Sequence, residues 1–313
     1  QHYDGRLDDA PCLRYRPGAF TRLPNRYYRF RCAGVDVFAL DSNTFNQPVG
    51  TASLADRLAL QERRRRLEEE RNGRIRDFGM ALMQQDDEDR GLDLIATIEQ
   101  IQEQIYDIDK QLRDGSGAHE VDHEQLDWLV RSLVASWHNA SVRGRILLLH
   151  HPPYVTEQTK WNQAQTLAVR HHLRTVLDRV AAALGPLPAG RPLVDLALSG
   201  HAHCLEVLRG LDTGHGDAHI PWVICGGSGY SLRRQRSEGN ELTENLDGKE
   251  RVVARSELFV GRSGRGSSLR RPYSGLRVDV AEGRPLRITL TPLIAEKLPG
   301  RRWQSRALAP IHL

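Results

Sequence analysis

Two short stretches carry side chains whose type and spacing suit chemistry. In Leu147-Leu148-Leu149-His150-His151-Pro152-Pro153-Tyr154 an apolar run ends in adjacent imidazoles and is stopped by prolines. Prolines cannot donate to a sheet ladder, so the stop is abrupt. Further along, the apolar run Asp195–Ser199 leads into Gly200-His201-Ala202-His203. Neutral imidazole is a common nitrogen ligand for Zn, Mn and Fe. On extended backbone His201 and His203 point the same way, because side chains alternate with period two. Gly200 frees the backbone to turn at the strand end. With His150 delivered by the neighbouring strand, three imidazoles converge on one metal site at the carboxyl ends of the strands, where open α/β sheets place ligands.

The elements that must position these residues are legible as alternating strands and helices. Residues 1–26 read as irregular; Tyr27–Cys32 and Val35–Leu40 form a hairpin across Ala33-Gly34. Asp122 followed by Gln125 resembles a capping box opening an amphipathic helix through Leu126, Leu129 and Leu133. Strand 146–149 precedes the first histidine pair, and helix 164–184 stops at Gly185-Pro186. Strand 193–198 enters the second pair, and 205–208 continues after it. Residues 221–225 form a strand ending in Gly226-Gly227-Ser228-Gly229, which either turns the chain or approaches phosphate with backbone N–H groups. The polar stretch 231–250 lacks an apolar period and is expected to be a loop. Two C-terminal strands form a hairpin. The pattern indicates α/β with a mixed sheet.

Residues 54–114 differ in kind. Leu94, Ile98, Ile101, Ile105, Ile108 and Leu112 are spaced 4, 3, 4, 3 and 4, the seam of a heptad helix. Arg64–Glu68, Arg65–Glu69 and Arg66–Glu70 are i,i+4 pairs on a preceding helix. A polar break at 84–91 lets the two fold back as an antiparallel, coiled-coil-like arm, self-packed or docking a partner. The expected organisation is therefore 1–53 as loop and hairpin, 54–117 as an inserted arm, and 118–313 as the remainder of the first domain.

The 313 residues suffice for one large domain or two modest ones. No apolar run approaches the roughly 18 residues of a spanning helix, and the first twenty residues are too polar for a signal peptide. Cys12, Cys32, Cys204 and Cys225 show no metal or disulfide spacing, so a cytoplasmic setting is expected. Only Lys110, Lys160, Lys249 and Lys297 of the 44 basic residues are lysine. Arginine suits phosphate recognition, although 44 bases against 40 acids is not the balance of a dedicated nucleic-acid binder.

The stretches Leu147–Tyr154 and Ser199–His203 resemble the last two motifs of the calcineurin-like metallophosphoesterases. Asn25–Asn43 is similar to the hairpin those proteins carry before their fourth motif, and Glu124–Leu133 to the helix after it. The resemblance implies a mixed-sheet sandwich flanked by helices, interrupted here by the arm. It implies His150, His201 and His203 as ligands of two divalent ions (Mn, Fe or Zn), His150 and His201 sharing one and His203 binding the other. His151 is then a neighbour that positions a ligand or contacts phosphate. Tyr154, Lys160, Trp161 and Asn162 follow His150 and are placed to shape substrate access. The implied reaction is hydrolysis of a phosphomonoester or phosphodiester by a two-metal activated water.

The family's earlier Asp-x-His, Gly-Asp-x-x-Asp and Gly-Asn-His motifs do not precede the hairpin. Asp217-Ala218-His219 comes too late in the chain, and Gly239-Asn240-Glu241 lacks the histidine. With its start at Gln1, the chain is expected to be the C-terminal portion of a longer enzyme, inactive or nearly so alone. The rival expectation is a degenerate phosphoesterase fold that binds nucleic acid or a protein partner through its arginines and arm.

Overall fold

The computed structural model describes residues 3–4, 27–47, 54–83, 88–112, 121–229, 231–246, 248–264, 268–298 and 302–313. Cys12, most of 1–26 and the break at 84–87 lie outside the described residues.

The hairpin forms as its sequence predicts. β2 (Tyr28–Cys32) and β3 (Val35–Ala39) pair antiparallel around Ala33 and Gly34, at φ 47° and 76°. Two central residues at positive φ are what a tight hairpin turn requires. The two-residue β1 (Tyr3–Asp4) pairs parallel with β2. β3 then lies parallel to β4 (Gly144–Leu148), β4 to β5 (Leu196–Ser199), and β5 to β7 (Pro221–Cys225). β6 (Leu205–Gly210), β9 (Lys249–Val260) and β8 (Glu241–Leu246) extend the sheet antiparallel. The order is β1-β2-β3-β4-β5-β7-β6-β9-β8.

One face of this sheet is covered by α3 (His123–His138) and α4 (Ala164–Leu184). Leu129 and Leu133 from α3 and Val169, Leu173 and Leu177 from α4 are buried with Phe38, Leu147 and Ala197. Each fully buried aliphatic side chain contributes about 1.5–3 kcal/mol. The other face meets a second sheet, in which β11 (Ile288–Lys297) pairs with β10 (Tyr273–Val280), β12 (Trp303–Ala307) and β13 (Ile311–His312). Val37, Ile146, Leu196 and Val223 pack there against Ile288 and Leu290. The protein is a mixed α/β fold.

The expected loop at 231–250 is corrected by the structure, because β8 and the start of β9 form a hairpin there. The apolar period is hidden because one inward residue of β8 is Glu244, held by Arg170 and Arg174 of α4 at 2.5 and 2.8 Å. Asp247-Gly248 between paired Leu246 and Lys249 is the hairpin signal that marks it.

α1 (Leu54–Met83) and α2 (Glu88–Leu112) run antiparallel, with Arg64 reaching Asp109 at 2.6 Å and Arg71 reaching Gln102 at 2.6 Å. Ile101, Ile105 and Ile108 of the heptad seam are buried. Arg64–Glu68 and Arg65–Glu69 form, whereas Arg66 turns back to Glu62 at 2.9 Å instead of pairing with Glu70. Beyond packing on α1, α2 rests on the body: Asp93 pairs with Arg262 at 2.7 Å, Glu99 with Arg233 at 3.2 Å, and Glu103 with Lys160 at 2.6 Å. Among the described residues, no helix is long and apolar enough to cross a membrane.

Candidate metal centre

The four parallel strands deliver their carboxyl ends to one edge of the sheet, and the candidate centre is assembled there. Just beyond the end of β3 at Ala39, the Asp41 carboxylate accepts from Asn43 N at 3.2 Å and opens a single turn over Ser42–Thr44. Asp122 caps α3 as the sequence predicts, accepting from Gln125 N at 3.0 Å. The Gln125 side chain does not close a capping box. It accepts from Asp41 N at 2.8 Å and donates to Asp41 O and Thr44 Oγ1 at 3.2 and 2.8 Å. That clamp holds Ser42 and Asn46 against His151.

His151 is 4% exposed. Its backbone N–H donates to Ser42 Oγ at 3.0 Å, its Nδ1 lies 2.8 Å from the same hydroxyl, and its Nε2 lies 3.2 Å from Asn46 Nδ2. With the amide donating to Nε2, the imidazole proton sits on Nδ1 and is donated to Ser42. His150, one residue earlier, is exposed. Its ring has no hydrogen-bond partner among the described residues and contacts His151 and His201 at centroid distances of 4.9 and 5.1 Å.

The second histidine pair departs from expectation. β5 ends at Ser199, and His201 stands at φ 62° with Gly200 N–H donating to His150 O at 3.1 Å. This left-handed conformation is uncommon for a residue with a Cβ. The backbone is therefore bent, the period-two argument does not apply, and the two side chains separate. His201 faces His151 at 4.4 Å, while His203 Nδ1 lies 3.1 Å from Ser231 O. Among the described residues, the group whose ligand atoms all lie within 4.8 Å of one another is His150, His151 and His201.

Electrostatics keep these rings neutral. Burial lowers His201 to about 2 and His151 to about 3, and lowers His150 as well. The Lys160 ammonium, 5% exposed, adds to the effect on all three. Neutral imidazoles present lone pairs where a ring nitrogen is free, so His150 and His201 fit one borderline divalent ion. Gln165 Nε2, 2.6 Å from His201 Nε2, competes for that lone pair. The group contains no carboxylate.

The expected substrate contacts divide. Tyr154 is 1% exposed: its hydroxyl donates to Asp217 at 2.6 Å, and Arg174 donates to it at 2.6 Å. Asn162 is exposed and lines, with Trp161 and with Arg63 and Gln104 of the arm, a cleft of about 330 Å³. Ser42, Asn46 and Gln165 were not singled out by sequence reasoning. Ser42 and Asn46 follow the end of a parallel strand, which is the signal that marks them. Gln165 follows an unremarkable helix start and has none. Gly226 and Gly227 serve as close packing: Gly226 N donates to Cys204 O at 2.9 Å, a Cβ on Gly226 would clash with Ala202 O, and one on Gly227 with Ser274 Oγ.

No family model matches the chain, and no curated protein matches it. Among solved structures, that of PhoD aligns with 60% of this chain and 35% of its own, at 12% identity and a TM-score of 0.28. The chain thus spans about a third of that protein's length, and a likeness at that score carries no argument.

Proposed function

We propose that this chain contributes the histidine ligands of a metal-dependent phosphoric ester hydrolase. The observation that carries the reading is the convergence of His150 and His201, from the ends of adjacent parallel strands β4 and β5, beside the buried His151. His150 and His201 hold one divalent ion. His151, with both ring nitrogens occupied by Ser42 and Asn46, positions the loop that presents His150. A bound ion supplies Lewis-acid polarisation of a phosphoryl oxygen and an acidified water. Lys160 holds positive charge beside the site, and Asn162 with Trp161 forms the wall along which a phosphoester enters. Because the group lacks a carboxylate, it holds one ion, and the two-ion arrangement in which His203 serves the second requires ligands from outside the group. Hydrolysis by this chain alone is accordingly expected to be slight.

Metal titration by calorimetry and metal analysis tests the reading. One Zn, Mn or Fe ion per chain is expected, with at least a hundredfold loss of affinity in His150→Ala and His201→Ala. Each lost ligand removes a bond in a site whose ligand number sets affinity. No saturable binding, or binding indifferent to both substitutions, would sink it.

A further inference from the structure

At the opposite end of β4 from the histidines, four arginines surround a cleft of about 140 Å³. Arg143 and Arg145 flank the first residue of β4, Arg191 precedes β5, and Arg284 lies in the turn between β10 and β11. Arg145 is 4% exposed, with its Cζ 3.9 Å from the Trp137 ring centre, and Arg191 lies over the same ring at 4.7 Å.

Among the described residues none of the four forms an ion pair, and no carboxylate lines the cleft. Their hydrogen bonds go to backbone carbonyls. Arg145 donates to Ser136 O at 3.0 Å and Arg191 to Pro188 O at 3.3 Å, whereas Arg143 donates to Ala33 O at 2.7 Å, Gly283 O at 3.3 Å and Ala281 O, and Arg284 to Val142 O at 3.2 Å and Ala140 O. Each guanidinium carries five N–H donors, so Arg145 and Arg191, with one bond each, keep most of theirs uncommitted. Arg145 Nε is buried without a partner. The nearby carboxylates are bonded outside the cleft: Asp36 is held by Arg31, and Asp195 accepts from Arg145 backbone N at 2.7 Å. Burial, with repulsion from Arg191 and Arg284, lowers Arg145 to about 10, against the pull of Asp195 and Asp36.

Protein charges held together with unspent donors call for a counter-anion. Forked guanidiniums match the oxygens of phosphate and share its double charge, whereas a carboxylate offers one charge and two oxygens. We propose that this cleft is a binding site for a small phosphate-class oxyanion, distinct from the metal centre and independent of its chemistry.

The test is calorimetric titration of the EDTA-treated chain with inorganic phosphate, and separately with acetate, at low ionic strength. Expected are one phosphate per chain, acetate at least tenfold weaker, and a tenfold or greater loss in the double variant Arg191→Met/Arg284→Met. Both replaced side chains are exposed, and the charge-keeping Arg191→Lys/Arg284→Lys is expected to lose severalfold, which reports the fork apart from folding. His201→Ala is expected to bind phosphate as wild type does. Absence of saturable binding, binding unchanged in the methionine pair, or binding lost in His201→Ala would overturn the proposal.

Discussion

His151 is held by two neutral partners in a buried pocket, and the consequence is a pH signature. Its folded pKa of about 3 lies below the ordinary histidine value, so its contribution to stability is present above about 6.5 and lost as pH falls. Over the two units from pH 6.5 to 4.5 that loss amounts to about 2–3 kcal/mol. Glu206 and Glu157, pushed up to about 7 by burial, act with opposite sign. Their contribution is present below the ordinary carboxylate range and lost as pH rises through about 7. The measurement is therefore a difference. In urea unfolding of the metal-free protein, the stability gap between wild type and His151→Gln is expected to narrow by about 2–3 kcal/mol from pH 6.5 to 4.5. A gap that stays constant would show that His151 is not held neutral in the folded state. The residue types at 150, 151 and 201 could be read as metal chemistry from spacing alone. The partners of His151 could not, because Ser42 and Asn46 are more than a hundred positions away in the chain.

At the scale of elements, the centre depends on how closely the end of β7 packs on the turn after β5. A Cβ at Gly226 would meet the Ala202 carbonyl, on the segment that carries both His201 and His203, whereas Gly229 faces open space. Gly226→Ala is expected to cost roughly 1–3 kcal/mol, the usual range for overpacking, and to weaken metal binding by displacing His201. Gly229→Ala is expected to change neither. Thermal unfolding and zinc titration of the two variants separate these outcomes, and equal behaviour would remove the packing argument. Helices α3 and α4 were legible because amphipathic period, an Asp cap and a Gly-Pro stop are local signals. The bend at His201 was not, since its left-handed backbone sits in a turn held by Gly200 N–H on His150 O and by Gly226 N–H on Cys204 O rather than by its own preference.

Across the whole molecule, the arm is anchored by acids on α2 that meet cations of the body. Arg233 and Arg262 are buried opposite Glu99 and Asp93. The double variant Asp93→Asn/Glu99→Gln removes the carboxylates that face two buried guanidiniums, at a cost of roughly 3 kcal/mol. Amide hydrogen exchange in 88–112 is expected to accelerate at least tenfold while β4 and β5 keep their protection. Unchanged exchange in α2 would mean that these two ion pairs do not anchor the arm.

The sequence by itself determined the first hairpin and the parallel strands, the helices, the antiparallel arm and the delivery of imidazoles to strand ends, but not the β8–β9 hairpin. Those features follow from periodicity and chain punctuation, which act over a few residues. Tertiary structure alone decided which histidines meet, that His203 turns to Ser231, that Tyr154 is locked in the core, and that four arginines share one cleft. Each of these depends on side chains brought together across sheets and loops, where the chain's local preferences carry no information about the partner.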